Sequence, residues 1–258
     1  MEENLLGGNS STVVRNGDTV RREAGAWSGQ VQRLLGHLRA SGILEVPEAL
    51  GFDDQGREVL SFLPGQVGLD PLPEALRGEE LLVSAAQLLR RIHDASQELV
   101  QACPDGWRVP ARPPLEVICH GDFAPYNCVY QQGRLSGVID FDHAHPGSRA
   151  WDLAYALYRF APITHPSNPD GYGTLAAQCR RVGLFCEAYR PPDRSQLAAA
   201  IRARLQYMAD YLRQGAANGD ARLLANIEAG HLAIYENDLA YFDAHRERFE
   251  QALNGSFA

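Results

Sequence analysis

Hydrophobic and polar positions change their period along this chain, and the changes predict where sheet gives way to helix. Residues 2–22 read as a short β-ribbon. Thr12-Val13-Val14-Arg15 and Thr19-Val20-Arg21-Arg22 flank Asn16-Gly17-Asp18, and Asn-Gly between two β-branched runs predicts a hairpin. Alternation in the second run sets Val20 and Arg22 on one face, Thr19 and Arg21 on the other. From Ser28, read as an N-cap, the period becomes helical to about Ala40, with Val31, Leu34, Leu35 and Leu38 as the apolar stripe. Gly51–Gly56 is a turn, and Arg57–Gly65 is a strand that stops at Pro64-Gly65.

Past Gly65 the pattern becomes mostly helical. Leu69–Pro73 is linker-like, and Glu79 to about Glu98 carries Leu82, Ala85, Ala86, Leu89 and Ile92 at helical spacing. His93 reads as a packed or capping residue. A proline-rich loop, 103–114, then leads to a second group of short strands. Val117–Cys119 delivers His120-Gly121-Asp122 to a loop, Cys128–Tyr130 and Leu135–Ile139 flank the turn Gln131–Gly133, and Asp140 ends the return strand. His143 and His145, spaced by one residue, read as solvent-facing loop histidines because no third ligand is spaced to hold a metal with them. A helix opens at Arg149–Tyr155, a breaker-rich loop covers 161–173, and helices are predicted at about 174–188, 195–214 and 220–252. In the second of these, Ile201, Leu205, Met208 and Leu212 form one stripe. Glu228, Glu236, Asp238 and Asp243 in the last read mostly as solvated helix faces, with a cationic acceptor as the other reading.

Composition narrows the class. Of 258 residues, 45% are hydrophobic and 22% charged, ordinary for a soluble globular protein long enough to bury a full core. A net charge of −8 argues against a general binder of nucleic acid or anionic membrane. No apolar run approaches membrane-spanning length, the start Met1-Glu2-Glu3 lacks a basic signal-peptide region, and the five cysteines follow no metal-ligand spacing. Cys119 and Cys128 read as small buried hydrophobes. The expectation is a cytoplasmic, reduced protein.

The chemistry concentrates in Val117–Asp142. Asp122, Asn127 and Asp140 sit at strand ends, one acid apart from an amide-plus-acid pair. That set suits phosphoryl transfer, in which one carboxylate positions a nucleophilic hydroxyl and the other two groups hold magnesium on phosphates. His120-Gly121-Asp122, four residues, Asn127, and then Ile139-Asp140-Phe141-Asp142 resemble the aminoglycoside phosphotransferase family, relatives of the protein kinases. The kinase pattern is H-R-D-x-x-x-x-N followed by D-F-G. Here Gly121 replaces the Arg and Asp142 replaces the Gly, both typical of the small-molecule phosphotransferases. The runs Val13–Arg22, Arg57–Phe62 and His120–Pro125 are further similar to a bacterial subgroup labelled trifolitoxin immunity-like phosphotransferases.

The resemblance implies an α+β, bilobal protein-kinase-like fold: residues 1–65 as a nucleotide-binding lobe and hinge, 66–258 as a mainly helical catalytic and acceptor-binding lobe. It implies ATP or GTP with Mg2+ as cofactors and a small-molecule hydroxyl as acceptor. Asp122 would be the catalytic base, Asn127 and Asp140 the metal ligands, and His120 and Asp152 supports of the catalytic loop. The hinge would read the adenine edge through the Ser61 carbonyl and the Leu63 amide. Gly7-Gly8-Asn9-Ser10-Ser11 reads as a segment over phosphates or as a flexible end. Kinases place a strand lysine on the phosphates, but this chain contains no lysine, so Arg22, or else Arg21, takes that place. The helix glutamate that orients the kinase lysine is also missing between Ser28 and Ala40, leaving Gln30, Gln32 or Glu23 as substitutes. Two function classes stay open: an enzyme phosphorylating a small-molecule hydroxyl, and a non-catalytic nucleotide-binding immunity or regulatory protein. A metal-dependent hydrolase fits worse, since the histidines supply too few nitrogen ligands.

Overall fold

The hairpin predicted at Asn16-Gly17 seeds a five-stranded antiparallel sheet. The computed structural model describes residues 2–5 and 13–255, so the proposed phosphate segment Gly7–Ser11 lies outside the described residues. Strands β1 (Glu2–Leu5), β2 (Val13–Asn16), β3 (Thr19–Arg22), β4 (Ala49–Phe52) and β5 (Glu58–Ser61) stand in the order β1-β2-β3-β5-β4. Between β3 and β4 runs helix α1 (Ser28–Ala40), whose predicted stripe Val31, Leu34, Leu35 and Leu38 is buried. Full burial of such side chains contributes roughly 1.5–3 kcal/mol each. Ser28 is the first helical residue rather than the cap, its Oγ accepting from Gly25 N at 3.1 Å.

Strand β6 (Gln66–Val67) follows, then helices α2 (Glu79–Ser96) and α3 (Leu99–Ala102). The catalytic motif spans β7 (Val117–Cys119), β8 (Cys128–Gln131) and β9 (Arg134–Val138). These strands form two small sheets rather than one. β8 and β9 make a hairpin with β6 alongside, whereas β7 pairs with β10 (His145–Gly147), setting His145 opposite Cys119. His145 is therefore buried in a strand, not on a solvent-facing loop, because β7 needs a backbone partner that the β8–β9 hairpin does not supply.

Helices α4 (Arg149–Phe160), α5 (Leu175–Tyr189) and α6 (Leu197–Ala217) match the expected spans. The single helix expected over 220–252 is three: α7 (Ala221–Glu228), α8 (His231–Ala244) and α9 (Arg246–Leu253). Gly230 makes the first break, in a left-handed conformation (φ 90°) that only glycine adopts cheaply. His245 makes the second (φ −115°, ψ 18°). All five cysteines are buried, and burial pushes the Cys186 thiol up to about 12. Among the described residues no helix is long and apolar enough to cross a membrane.

The chain groups into two compact units: Met1–Leu69 with Gln87–Asp152, and Asp70–Ala86 with Leu153–Ala258. The first unit holds the five-stranded sheet and the whole catalytic motif. In the second unit Asp238, expected on a solvated face, is fully buried. It accepts from Tyr158 Oη (2.8 Å), His165 N (2.7 Å) and Asn168 Nδ2 (2.7 Å), and so pins the loop after α4. Glu236 and Asp243 remain on the surface, paired with Arg213 and Arg202.

Candidate active site

Every residue singled out for chemistry lies in the first unit. β7 ends at Cys119, and the chain turns sharply through His120-Gly121-Asp122. Gly121 has φ 80°, and a Cβ there would stand 2.2 Å from the His143 carbonyl oxygen. Close approach of the two loops accounts for glycine where protein kinases carry arginine. Asp152, at the start of α4, fastens the turn: its carboxylate accepts from His120 N (2.7 Å) and Gly121 N (2.8 Å). His93 of α2 completes the brace, with Nε2 2.9 Å from Asp152 Oδ2 and both side chains fully buried. Burial alone would raise the Asp152 pKa. The His93 hydrogen bond, the electrostatic pull of the His93 and His120 rings and the Gly121 N–H outweigh it and hold Asp152 well below the usual carboxylate range.

His120 ties this loop to the return strand. Its Nε2 lies 3.1 Å from the Ile139 carbonyl, and its Nδ1 accepts from Asp122 N at 3.3 Å. Both partners fit one tautomer, with the proton on Nε2. Phe123 meets its ring edge-on at 5.7 Å, and Phe141 lies at 4.5 Å. The His120 ring is buried, and its two nitrogens join the loop to the return strand.

Asp122 and Asn127 are in direct contact. Asn127 Nδ2 donates to both the Asp122 carbonyl and Asp122 Oδ2, each at 2.9 Å, and Tyr126 Oη donates to Asp122 Oδ1 at 2.6 Å. With its amide hydrogens so used, Asn127 has its amide oxygen as the atom that could hold a cation. Asn127 O also accepts from Ile139 N at 2.9 Å, which fixes it beside Asp140 in the backbone. Asp140 itself adopts a left-handed conformation (φ 63°, ψ 66°). A non-glycine residue held there costs on the order of 1–3 kcal/mol, and such strain clusters at functional sites.

Arg22 reaches this group from β3. Its Nη1 is 3.4 Å from Asp140 Oδ1, its Nη2 2.5 Å from Asp142 Oδ1, and its Nε 2.7 Å from Glu58 Oε2. Burial works against the arginine's charge, but Asp142, Glu58 and Asp140 together more than restore it and raise its pKa. Arg21 lies on the other face of β3, as alternation requires, with Nε 3.6 Å from Asp53 Oδ2. Of the two arginines, only Arg22 meets the carboxylates of the motif.

Glu58 is the residue that sequence reasoning missed. It stands directly opposite Arg22 in the β3–β5 register and is fully buried. Gln32 of α1 holds its other oxygen, Nε2 to Oε1 at 2.9 Å, and is itself held by Gly51 N. The helix thus contributes an amide that orients the carboxylate, and the carboxylate comes from the neighbouring strand. Gln30 instead donates to Asp105 O, and Glu23 is exposed. A lone glutamate in the apolar strand Glu-Val-Leu-Ser was the only available signal. His143 was also underrated: it is half-buried, its Nδ1 has no hydrogen-bond partner, and burial, aided by Arg108, lowers its pKa against the pull of Asp122, Asp140 and Asp142.

The expected hinge residues sit at the end of β5. Ser61 faces Thr19, and its N–H and Oγ are both engaged by Glu48, at 3.0 and 2.8 Å. Leu63 lies two residues on, its side chain against the Gly137 backbone in β9. The segment therefore runs beside the strand that leads to Asp140.

Known proteins resemble this chain in sequence and in fold. The description "Phosphotransferase enzyme family" matches residues 6–114 and 107–184. A trifolitoxin immunity protein of Rhizobium leguminosarum bv. trifolii is 35% identical over 193 residues, 72% of each chain. A homoserine kinase of Phenylobacterium zucineum is 28% identical over 138 residues, 52% of this chain and 38% of that one. Among solved structures, an amicoumacin kinase in a complex that includes AMP-PNP and Ca2+ superposes with a TM-score of 0.64 at 16% identity, over 92% of this chain and 87% of that one. An aminoglycoside 2'-phosphotransferase-IIIa in complex with GDP gives 0.57 at 15% identity, over 93% and 92%. Fold and sequence agree on the class: the fold is that of the protein-kinase-like phosphotransferases. This chain belongs to the phosphotransferase enzyme family.

Proposed function

We propose that the protein transfers the γ-phosphoryl group of ATP (or GTP) to a hydroxyl of a small molecule, with Mg2+, and that Asp122 aligns that hydroxyl. The observation that carries this reading is the state of the Asp122 carboxylate. One oxygen is anchored by Asn127 and the other already accepts a hydroxyl hydrogen bond, from Tyr126. A carboxylate so held can orient an acceptor O–H for in-line attack and take its proton late in the step. The nucleotide is supported by the solved relatives, which hold AMP-PNP or GDP.

The donor set suits a hard cation. Among the described residues no three His, Cys, Asp or Glu side chains are grouped to hold a metal by themselves. An asparagine oxygen and one carboxylate, with phosphate oxygens completing the shell, are the usual magnesium arrangement. Asn127 and Asp140 would hold Mg2+, which supplies charge neutralisation on the β- and γ-phosphates when bound. Arg22 would contact the phosphates, oriented by Glu58; Arg21 stays with Asp53. Ser61 and Leu63 would meet the base, with residues 1–65 as the nucleotide-binding part and 66–258 as the catalytic and acceptor-binding part. His120 and Asp152 hold the loop in shape.

The test is phosphate transfer from γ-labelled ATP in the presence of Mg2+ across a panel of aminoglycosides, other hydroxylated antibiotics and amino alcohols. Acceptor-stimulated ADP release with labelled product is expected. The relative named a trifolitoxin immunity protein favours a second reading, a nucleotide-binding immunity protein without catalysis. ATP binding with no turnover across the panel would select it.

A further inference from the structure

Tyr126 belongs to the single 3-10 turn Pro125–Asn127, one residue before the proposed cation ligand. Its hydroxyl donates to Asp122 Oδ1 at 2.6 Å, while Asn127 Nδ2 holds Oδ2 at 2.9 Å. Oδ2 is therefore turned toward Asn127, and in the phosphotransferase reading that leaves Oδ1 as the oxygen for an acceptor hydroxyl. A short O–H to carboxylate bond is the contact an acceptor hydroxyl has to make with that same oxygen. The turn itself is firmly placed, since Gly68 packs so closely that a Cβ on it would lie 2.2 Å from the Pro125 carbonyl oxygen. The phenol side chain on this turn is half-buried.

We propose that Tyr126 guards the catalytic carboxylate: its phenol occupies Asp122 Oδ1 in the place of the acceptor hydroxyl and yields when an acceptor binds. The inference rests on the phosphotransferase reading above and adds a role that reading does not contain. The reaction held in check is hydrolysis. A water oxygen would bond to the γ-phosphorus, the bond from that phosphorus to the β–γ bridging oxygen would break, and the water proton would pass to Asp122 and on to solvent. ADP and phosphate would leave, and Tyr126 would be unchanged. With Oδ1 already engaged, water is not aligned there, and ATP is spared until a better hydroxyl displaces the phenol.

The experiment measures ADP release from Mg-ATP without added acceptor, Mg-ATP binding by calorimetry, and the intact mass of the chain after incubation. Wild type, Tyr126→Phe, Tyr126→Leu and the double variant Tyr126→Phe/Asp122→Asn are compared. Both single variants are expected to bind Mg-ATP as wild type does and to hydrolyse it roughly tenfold faster, the equivalent of about 1.4 kcal/mol. The double variant is expected to fall back to the wild-type rate or below. ADP release that is unchanged or slower in the single variants, with binding retained, overturns the guard and leaves the phosphotransferase reading standing. Failure of the folded wild type to bind Mg-ATP overturns both. A phosphate found on Tyr126 of the wild type also overturns the guard, because the phenol would then be an acceptor.

Discussion

Arg22 and Glu58 face each other across β3 and β5, guanidinium Nε to carboxylate Oε2 at 2.7 Å, with the glutamate fully buried and held from behind by Gln32. This pair gives the lysine-free chain a fixed cation beside Asp140 and Asp142. Arginine suits the place because its planar fork serves three carboxylates at once, which an ammonium point charge does not do in the same geometry.

Glu58→Ala leaves that guanidinium without its innermost partner and opens a hole beside Gln32. Removal of one member of a buried pair typically costs about 3–5 kcal/mol. Urea unfolding is expected to show a loss of that order, with weaker Mg-ATP binding in the fraction that stays folded. A stability change under about 0.5 kcal/mol, the range of ordinary surface substitutions, contradicts the role given to Glu58.

Asp152→Asn replaces an acceptor for three donors by a group that itself carries donors. A loss of about 3 kcal/mol at neutral pH is expected. The sign of its pH dependence follows from the depressed pKa. Stability contributed by Asp152 is fully present above the unfolded carboxylate value, about 3.9, and is lost as pH falls through the lower folded value. Melting curves of wild type and variant are therefore expected to converge below about pH 4. A gap that widens with acid contradicts the brace.

Much of this was legible in local pattern. The Asn16-Gly17 hairpin, the α1 stripe, the β8–β9 hairpin and the placement of Asp122, Asn127 and Asp140 at strand ends all depend on neighbours a few residues apart. What escaped depends on long-range pairing. Arg22 meets Glu58 across 36 positions, and nothing in either strand announces the register. His145 looked like a loop residue because its strand exists only by pairing with β7. Asp238 looked solvated on a helical wheel because the loop that buries it, around His165 and Asn168, has no period of its own. The breaks at Gly230 and His245 were hidden inside a continuous helical pattern.

Gly121→Ala is expected to inactivate without touching any charged group. The new methyl would meet the His143 carbonyl at 2.2 Å in a backbone conformation that costs an L-residue roughly 1–2 kcal/mol even in open space. Loss of turnover together with a lowered melting temperature is the outcome to look for. A fully active, equally stable variant contradicts the close packing of the two loops.

The central claim is that Asp122 serves the acceptor while Asn127 and Asp140 serve the metal-bound nucleotide. Calorimetric titration of Mg-ATP into wild type, Asp122→Ala and Asp140→Ala, read beside ADP release, tests it most directly. Wild type and Asp122→Ala are expected to bind alike, with turnover abolished in the latter, and Asp140→Ala is expected to lose magnesium-dependent binding. Retained turnover in Asp122→Ala, or wild-type binding in Asp140→Ala, would contradict the account.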